Sequence, residues 1–333
     1  MKIPVKVKHK QIFSGAIKNV KMHGSLFSYE KNCKMFLNIK GKETEVAISD
    51  DINLVVLGEM ICVAYRKYKY GECAVKIGKI VGNAVEWGDE QKLTGNTKVF
   101  GVKLTKLNDT NVILTYHKQL KFNNGVSRII TVENEQFVIG EEYVFNEWDT
   151  RYSSVSVLNK NQIVVVYNRN NSGIKTGSYK IGTISDNLIT WDKKTHFCNN
   201  DVWDVKVVIK ENDVFIAYSD YKNLLFGFVK TGKFENNQIE MSENNHEFSS
   251  GCTLNTDLVI LEKNKLAFVY RNNYNNNTCV VRTGEFDGST FEWSVESVFD
   301  NKRYDKMSIE KIDTSVYVAY SNDDKGHLSL IDV

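Results

Sequence analysis

A short apolar run ending in tyrosine returns along this chain, and that recurrence governs what the chain can become. The runs are SLFSY ending at Tyr29, ICVAY at Tyr65, VILTY at Tyr116, VVVY at Tyr167, FIAY at Tyr218, AFVY at Tyr270 and YVAY at Tyr320. Successive tyrosines lie 36, 51, 51, 51, 52 and 50 residues apart. A second mark trails them. Trp87, Trp191 and Trp293 follow their tyrosines by 22 to 24 residues, and Ile139 takes that place after Tyr116. Six residues further stand Leu93, Phe145, Phe197 and Phe299, with Phe248 in the same role where Ser242 replaces the tryptophan. Between tyrosine and tryptophan, segments such as VKIG, YKIG, VKTG and VRTG end at Gly78, Gly182, Gly232 and Gly284.

Each unit reads as four short strands. The first half-alternates, as in Ser153–Leu158; the second is the buried run; the third ends at the glycine; the fourth carries the tryptophan. Asn, Asp and Gly fill the joins, which suits tight hairpin turns, and no segment shows helical periodicity. Four antiparallel strands per unit of this length describe a β-propeller blade. A continuous apolar second strand fits, because stacked blades bury both faces of an inner strand.

The expected fold is all-β, a seven-bladed β-propeller of four-stranded antiparallel blades in one domain over residues 1–333. After Tyr320 only 13 residues remain, too few for a fourth strand, whereas His9–Phe13 (HKQIF) matches the ends of the other fourth strands. Residues 1–13 are therefore expected to complete the last blade and close the ring, removing two free edges. The blades fall near 14–51, 52–96, 97–147, 148–198, 199–249, 250–300 and 301–333 with 1–13.

Composition excludes several functions. Lys plus Arg total 43 against 41 for Asp plus Glu, a net charge of +2 with no basic footprint for nucleic acid. The N-terminus lacks the apolar core of a signal peptide, and no stretch approaches the ~20 apolar residues of a membrane helix. The six cysteines form no CxxC pair, which points to reduced thiols and a cytoplasmic setting. The histidines show no metal-ligand spacing and no glycine loop cradles phosphate, so no cofactor is expected.

The YR, KIG and ITW elements resemble bacterial and protist propeller repeats of sialidase or Asp-box type. The Asp-box turn lies between third and fourth strands, where this chain has Ser185-Asp186-Asn187-Leu188-Ile189-Thr190-Trp191 and Asp287-Gly288-Ser289-Thr290-Phe291. The position matches; the first is one residue short and lacks the glycine, and the second is similarly imperfect. The resemblance therefore implies the fold and carries no family function, since one fold hosts many activities.

Two loop sets converge on the mouth of a propeller's central tunnel: those after each repeat tyrosine, and those joining an outer strand to the next inner strand. The first set holds Arg66, His117 and Arg271; the second holds Trp148, Asp149, Arg151, Trp203, Asp204, Tyr304 and Asp305. Residues repeated in every blade serve the blade, so a ligand site is sought among those that differ. Trp148, Trp203 and Tyr304 offer aromatic faces in polar loops, suited to sugar rings, with Asp and Arg beside them for hydroxyls. The leading reading is a non-catalytic recognition module that binds a glycan or a protein through Trp148, Arg151, Trp203, Asp204, Tyr304, Arg66, His117 and Arg271. One alternative is a carbohydrate-active enzyme whose paired carboxylates come from Asp149, Asp204 and Asp305. Another is an intracellular protein-interaction scaffold.

Overall fold

The computed structural model describes residues 9–15, 18–23, 26–31, 34–39, 42–47, 49–67, 71–82, 84–133, 136–262, 264–304, 306–312, 315–321 and 326–331. Their strands assemble into seven antiparallel sheets. Six of these are full blades, which we call by their repeat tyrosines: the Tyr65, Tyr116, Tyr167, Tyr218, Tyr270 and Tyr320 blades. Their second strands run seven to ten residues, from Ser315–Ser321 to Gln162–Asn171. The remaining sheet comes from the short first unit and has four strands of six residues each: Lys18–His23, Leu26–Lys31, Lys34–Ile39 and Lys42–Ala47. The expectation of seven blades, the first of them abbreviated, is thus corrected to six full blades. A 36-residue spacing leaves no length for a seventh of the same build.

Contacts divide the chain into two units, residues 23–195 and residues 1–22 with 196–333. In the second unit, His9–Gly15 pairs antiparallel with Gly326–Ile331. The start of the chain thereby supplies the outer strand of the Tyr320 blade.

The repeat marks explain the packing inside a blade. All six tyrosines from Tyr65 to Tyr320 are buried at the ends of almost wholly buried second strands. The third-strand glycines sit directly opposite the tryptophans: Gly78 pairs Trp87, Gly182 pairs Trp191 and Gly284 pairs Trp293. The indole lies across the glycine, and a Cβ on Gly182 would come within 2.7 Å of Trp191 Cζ3. A second pair of this kind closes two blades, Gly125 beneath Phe145 and Gly227 beneath Phe248. In four blades the outer strand is split in two. One piece carries the tryptophan or Ile139, and the other carries, or directly precedes, the large apolar residue six places on. The hairpin turns at Asp186-Asn187 and Asn236-Asn237 have positive φ at both central residues, as two-residue hairpin loops require.

Blades pack face to face within each unit. Cys62, Ala64 and Val75 of the Tyr65 blade meet Val112, Leu114 and Tyr116 of the next. Phe215 and Ala217 of the Tyr218 blade meet Leu258, Phe268 and Tyr270. Polar side chains also tie first strands together within a unit: Asn53 Oδ1 accepts from Leu104 N at 2.8 Å, and Asp204 Oδ2 accepts from Asn255 N at 2.7 Å. Among the described residues no helix is long and apolar enough to cross a membrane.

Candidate functional site

In the unit of residues 23–195, two hairpin ends and one connector enclose an open cleft of about 370 Å³. The Tyr116 blade gives Gln119, Lys121, Phe122 and Asn123, the Tyr167 blade gives Asn170, and the connector between them gives Asp149. Each hairpin end lies just past a repeat tyrosine, so the fold places these polar residues beyond the buried part of the strand. The second turn closes through Ser172 and Gly173, both at positive φ.

The connector is pinned along its length. Asn146 Nδ2 donates to Trp148 O (2.9 Å) and to Thr150 Oγ1 (2.6 Å). Thr150 N donates to Asn123 O, and Asn170 N donates to Asp149 O. Arg151 N and Tyr152 N both donate to Asn168 Oδ1 (2.8 and 3.1 Å). The Asp149 carboxylate accepts from Asn123 Nδ2 and lies 3.6 Å from the exposed Arg151 guanidinium. The half-buried Trp148 ring tilts against Phe122 at 5.1 Å between centroids, and the Arg169 guanidinium covers it at 5.8 Å. Amide groups, one fixed carboxylate and an aromatic wall present hydrogen-bonding groups in a set geometry.

The other expected residues are placed differently. Arg66 lies over the Phe100 ring at 5.0 Å, flat against its own surface. His117 is buried, with Nε2 3.1 Å from Ser153 Oγ and its ring against Gly101. In the unit that includes 196–333, Trp203 stacks on the exposed Tyr221 at 5.9 Å. Asp204 occupies a strand bulge at φ 51° and serves the neighbouring first strand. Tyr304 faces inward: it is buried, packs edge-on against Tyr320 at 4.7 Å, and donates to Asp300 Oδ2 at 3.1 Å. Arg271 is buried beside it and donates to Tyr304 O at 3.0 Å. Asp305 lies outside the described residues. Of the expected residues Asp149 therefore lines the cleft, with Trp148 packed on its Phe122 wall and Arg151 beside Asp149. Phe122, Asn123 and Asn170 join them; their place just beyond the repeat tyrosines was the sequence signal available.

One carboxylic acid stands apart. Glu310, on the first strand of the Tyr320 blade, is pushed up to about 7 by burial and by the Asp257 charge, with Lys206 opposing. Asp257 itself holds Lys206 at 3.0 Å. A carboxyl raised on folding binds its proton more tightly in the native state. Stability therefore falls as pH rises from the ordinary value of 4.5 to about 7, and is lowest above that window. Glu310→Gln is expected to flatten this slope by ~1–3 kcal/mol. Urea midpoints at about pH 5 and about pH 8 check it; equal slopes in both proteins would refute it.

No family model and no curated protein matches this chain. Solved structures do. Trypanosoma rangeli sialidase in complex with sialic acid superposes with a TM-score of 0.51 and 12% identity, covering 96% of this chain and 58% of that chain. The complex of that sialidase with the inhibitor DANA gives 0.54 and 10%, covering 99% and 60%. The chain thus spans about three-fifths of the length of these neighbours. At such identities the likeness is one of fold: this chain is an all-β propeller of four-stranded antiparallel blades.

Proposed function

We propose that this protein recognises a glycan, and that the ligand sits in the cleft between the Tyr116 and Tyr167 blades. The observation that carries this reading is the pinned connector Trp148–Tyr152, which fixes Asp149 beside Asn123 and Asn170 under an aromatic wall. Sugar hydroxyls need donors and acceptors already in place, because ordering them on binding would cost affinity. In this reading Asp149 accepts hydroxyl hydrogen bonds, Asn123 and Asn170 contribute amides, and Phe122 walls a ring face. The Asp149 carboxylate is positioned for this by Asn123 and Arg151. Glycan binding agrees with the neighbours of this fold, one of which is a sialidase holding sialic acid.

A glycan array containing sialylated, fucosylated and neutral sugars tests the proposal. Selective binding is expected, and Asp149→Ala should weaken it about 10–100-fold, the loss of hydrogen bonds to a charged acceptor. Phe122→Ala should weaken it as well, with the melting temperature of both variants checked against the parent. A blank array, or selective binding indifferent to both substitutions, overturns the assignment.

A further inference from the structure

The Tyr167 blade departs from its sisters at one chemical position. In the Tyr65, Tyr116 and Tyr270 blades a glutamate stands three residues past Trp87, Ile139 or Trp293: Glu90, Glu142 and Glu296. Each accepts the hydroxyl of its repeat tyrosine, Tyr65 to Glu90, Tyr116 to Glu142 at 2.7 Å and Tyr270 to Glu296 at 2.6 Å. Cations complete two of these seats. Lys67 holds Glu90 at 2.6 Å, while Lys118 and Arg128 hold Glu142 at 2.8 and 3.3 Å. The recurring pair is a tyrosine hydroxyl on a carboxylate; the Tyr65 blade adds a cation two residues beyond the tyrosine, and the Tyr116 blade adds that cation and one from the third strand.

The Tyr167 blade keeps the donors and lacks the carboxylate. Three residues past Trp191 stands Lys194. Arg169 takes the position of Lys67 and Lys118, and Lys180 that of Lys76 and Arg128. The Tyr167 hydroxyl is buried and has no hydrogen-bond partner. Among the described residues Arg169, Lys180 and Lys194 form no ion pair. They crowd one another instead: burial, and then the charges of Arg169 and Lys180, hold Lys194 below its ordinary value. The Tyr218 blade also lacks the glutamate, but there the Cys198 thiol lies against the hydroxyl and Lys230 donates to Glu243 O at 2.9 Å. An unsatisfied buried donor and three clustered cations, whose repulsion the Glu147 charge near Lys180 and the Trp148 ring under Arg169 offset only in part, raise the free energy of this position. An anion placed there relieves both at once.

We propose that this position of the Tyr167 blade binds a carboxylate-bearing small ligand, its carboxylate taking the seat that Glu90, Glu142 and Glu296 fill in the sister blades. Tyr167 Oη and Arg169 donate to it, and Lys180 and Lys194 supply charge. The flexible stem of Lys194 lets the ammonium move aside as the ligand enters. Arg169 also covers Trp148 behind the cleft, but the seat uses none of the groups assigned to hydrogen-bond the glycan.

Calorimetric titration of the full chain with sodium glucuronate at constant ionic strength, with glucose as the neutral probe, tests this. Glucuronate is expected to bind saturably at one site, acetate to compete with it, and glucose to give no heat from that site. Lys194→Glu restores the internal carboxylate. It should weaken glucuronate about tenfold or more, while raising the melting temperature by about 2 °C. Tyr167→Phe should weaken binding several-fold, and Tyr116→Phe should leave it unchanged. Absence of saturable glucuronate binding overturns the inference. So does binding that survives Lys194→Glu, because it would place the sugar elsewhere.

Discussion

Glu142→Ala is expected to cost about 2–4 kcal/mol of stability, because one truncation strands a buried hydroxyl and a largely buried ammonium and removes a charge partner from Arg128. The Tyr116 hydroxyl, Lys118 Nζ and Arg128 Nη2 all converge on this carboxylate, at 2.7, 2.8 and 3.3 Å. Tyr116 is fully buried, and the two cations are largely so. Without the glutamate, the buried hydroxyl and Lys118 lose this acceptor, while Arg128 keeps Gly140 O and the Tyr116 oxygen. Urea denaturation should show a lower midpoint with an unchanged slope. Glu142→Gln should cost less, since its amide oxygen still accepts from Tyr116. The pH dependence gives a separate check. Burial works to raise Glu142, but hydrogen bonds from Lys118 and Tyr116 and the charges of Lys118 and Arg128 hold it below the usual carboxylate range. Its contribution is therefore present above the unfolded-state value and is lost as pH falls through the depressed native one. The stability difference between the parent and Glu142→Gln should shrink in acid. A difference that persists there would remove the clamp from the account.

Gly284→Ala should be nearly as damaging, although it adds only one methyl group. A Cβ on Gly284 would lie 2.4 and 2.5 Å from ring carbons of Trp293 and 2.9 Å from Phe291. Those two rings stack on each other at 4.6 Å, and Trp293 packs further on Phe268, so the indole has nowhere to retreat. Overpacking of this kind costs about 1–3 kcal/mol. Gly88→Ala provides the contrast. A Cβ there meets only Ile77 at an ordinary 3.6 Å, and no positive φ stands in its way. That change should be neutral or stabilise by ~0.4–1 kcal/mol through the unfolded chain. If both alanines behave alike, glycine-under-tryptophan packing is not what selects these glycines.

These two results bear on what could be read before any coordinates. The tyrosine spacing recurs in every blade and the glycine–tryptophan pairing in three, and repetition exposes them in a single sequence; His9–Phe13 was legible because it matches the repeated ends of the fourth strands. The first unit misled for the same reason. Tyr29 carries the mark, but 36 residues cannot build what 51 can. The site residues were harder, because they are the ones that do not repeat. Trp148 and Tyr304 both sit in polar connectors, and nothing in their neighbours tells which ring turns outward. Trp148 is held at the cleft by Asn146 and Thr150, whereas Tyr304 folds under Tyr320 and His327. His117 reads as a loop residue and is instead a buried prop against Gly101. Glu310 gave no signal, since its position is defined by strands about 50 and 100 residues earlier in the chain. Lys194 was visible in principle, as a lysine in a column where three blades carry glutamate.

The pairing of His9–Gly15 with Gly326–Ile331 also sets a clock on biosynthesis. The first of these strands leaves the ribosome more than 300 residues before the second exists. At typical translation speeds that interval is roughly 15–60 s. Throughout it, the strand has no partner of its own chain to shield its backbone groups. The nascent protein therefore carries an open strand edge for that whole interval, the kind of surface that chaperones hold and that neighbouring chains on a polysome can capture.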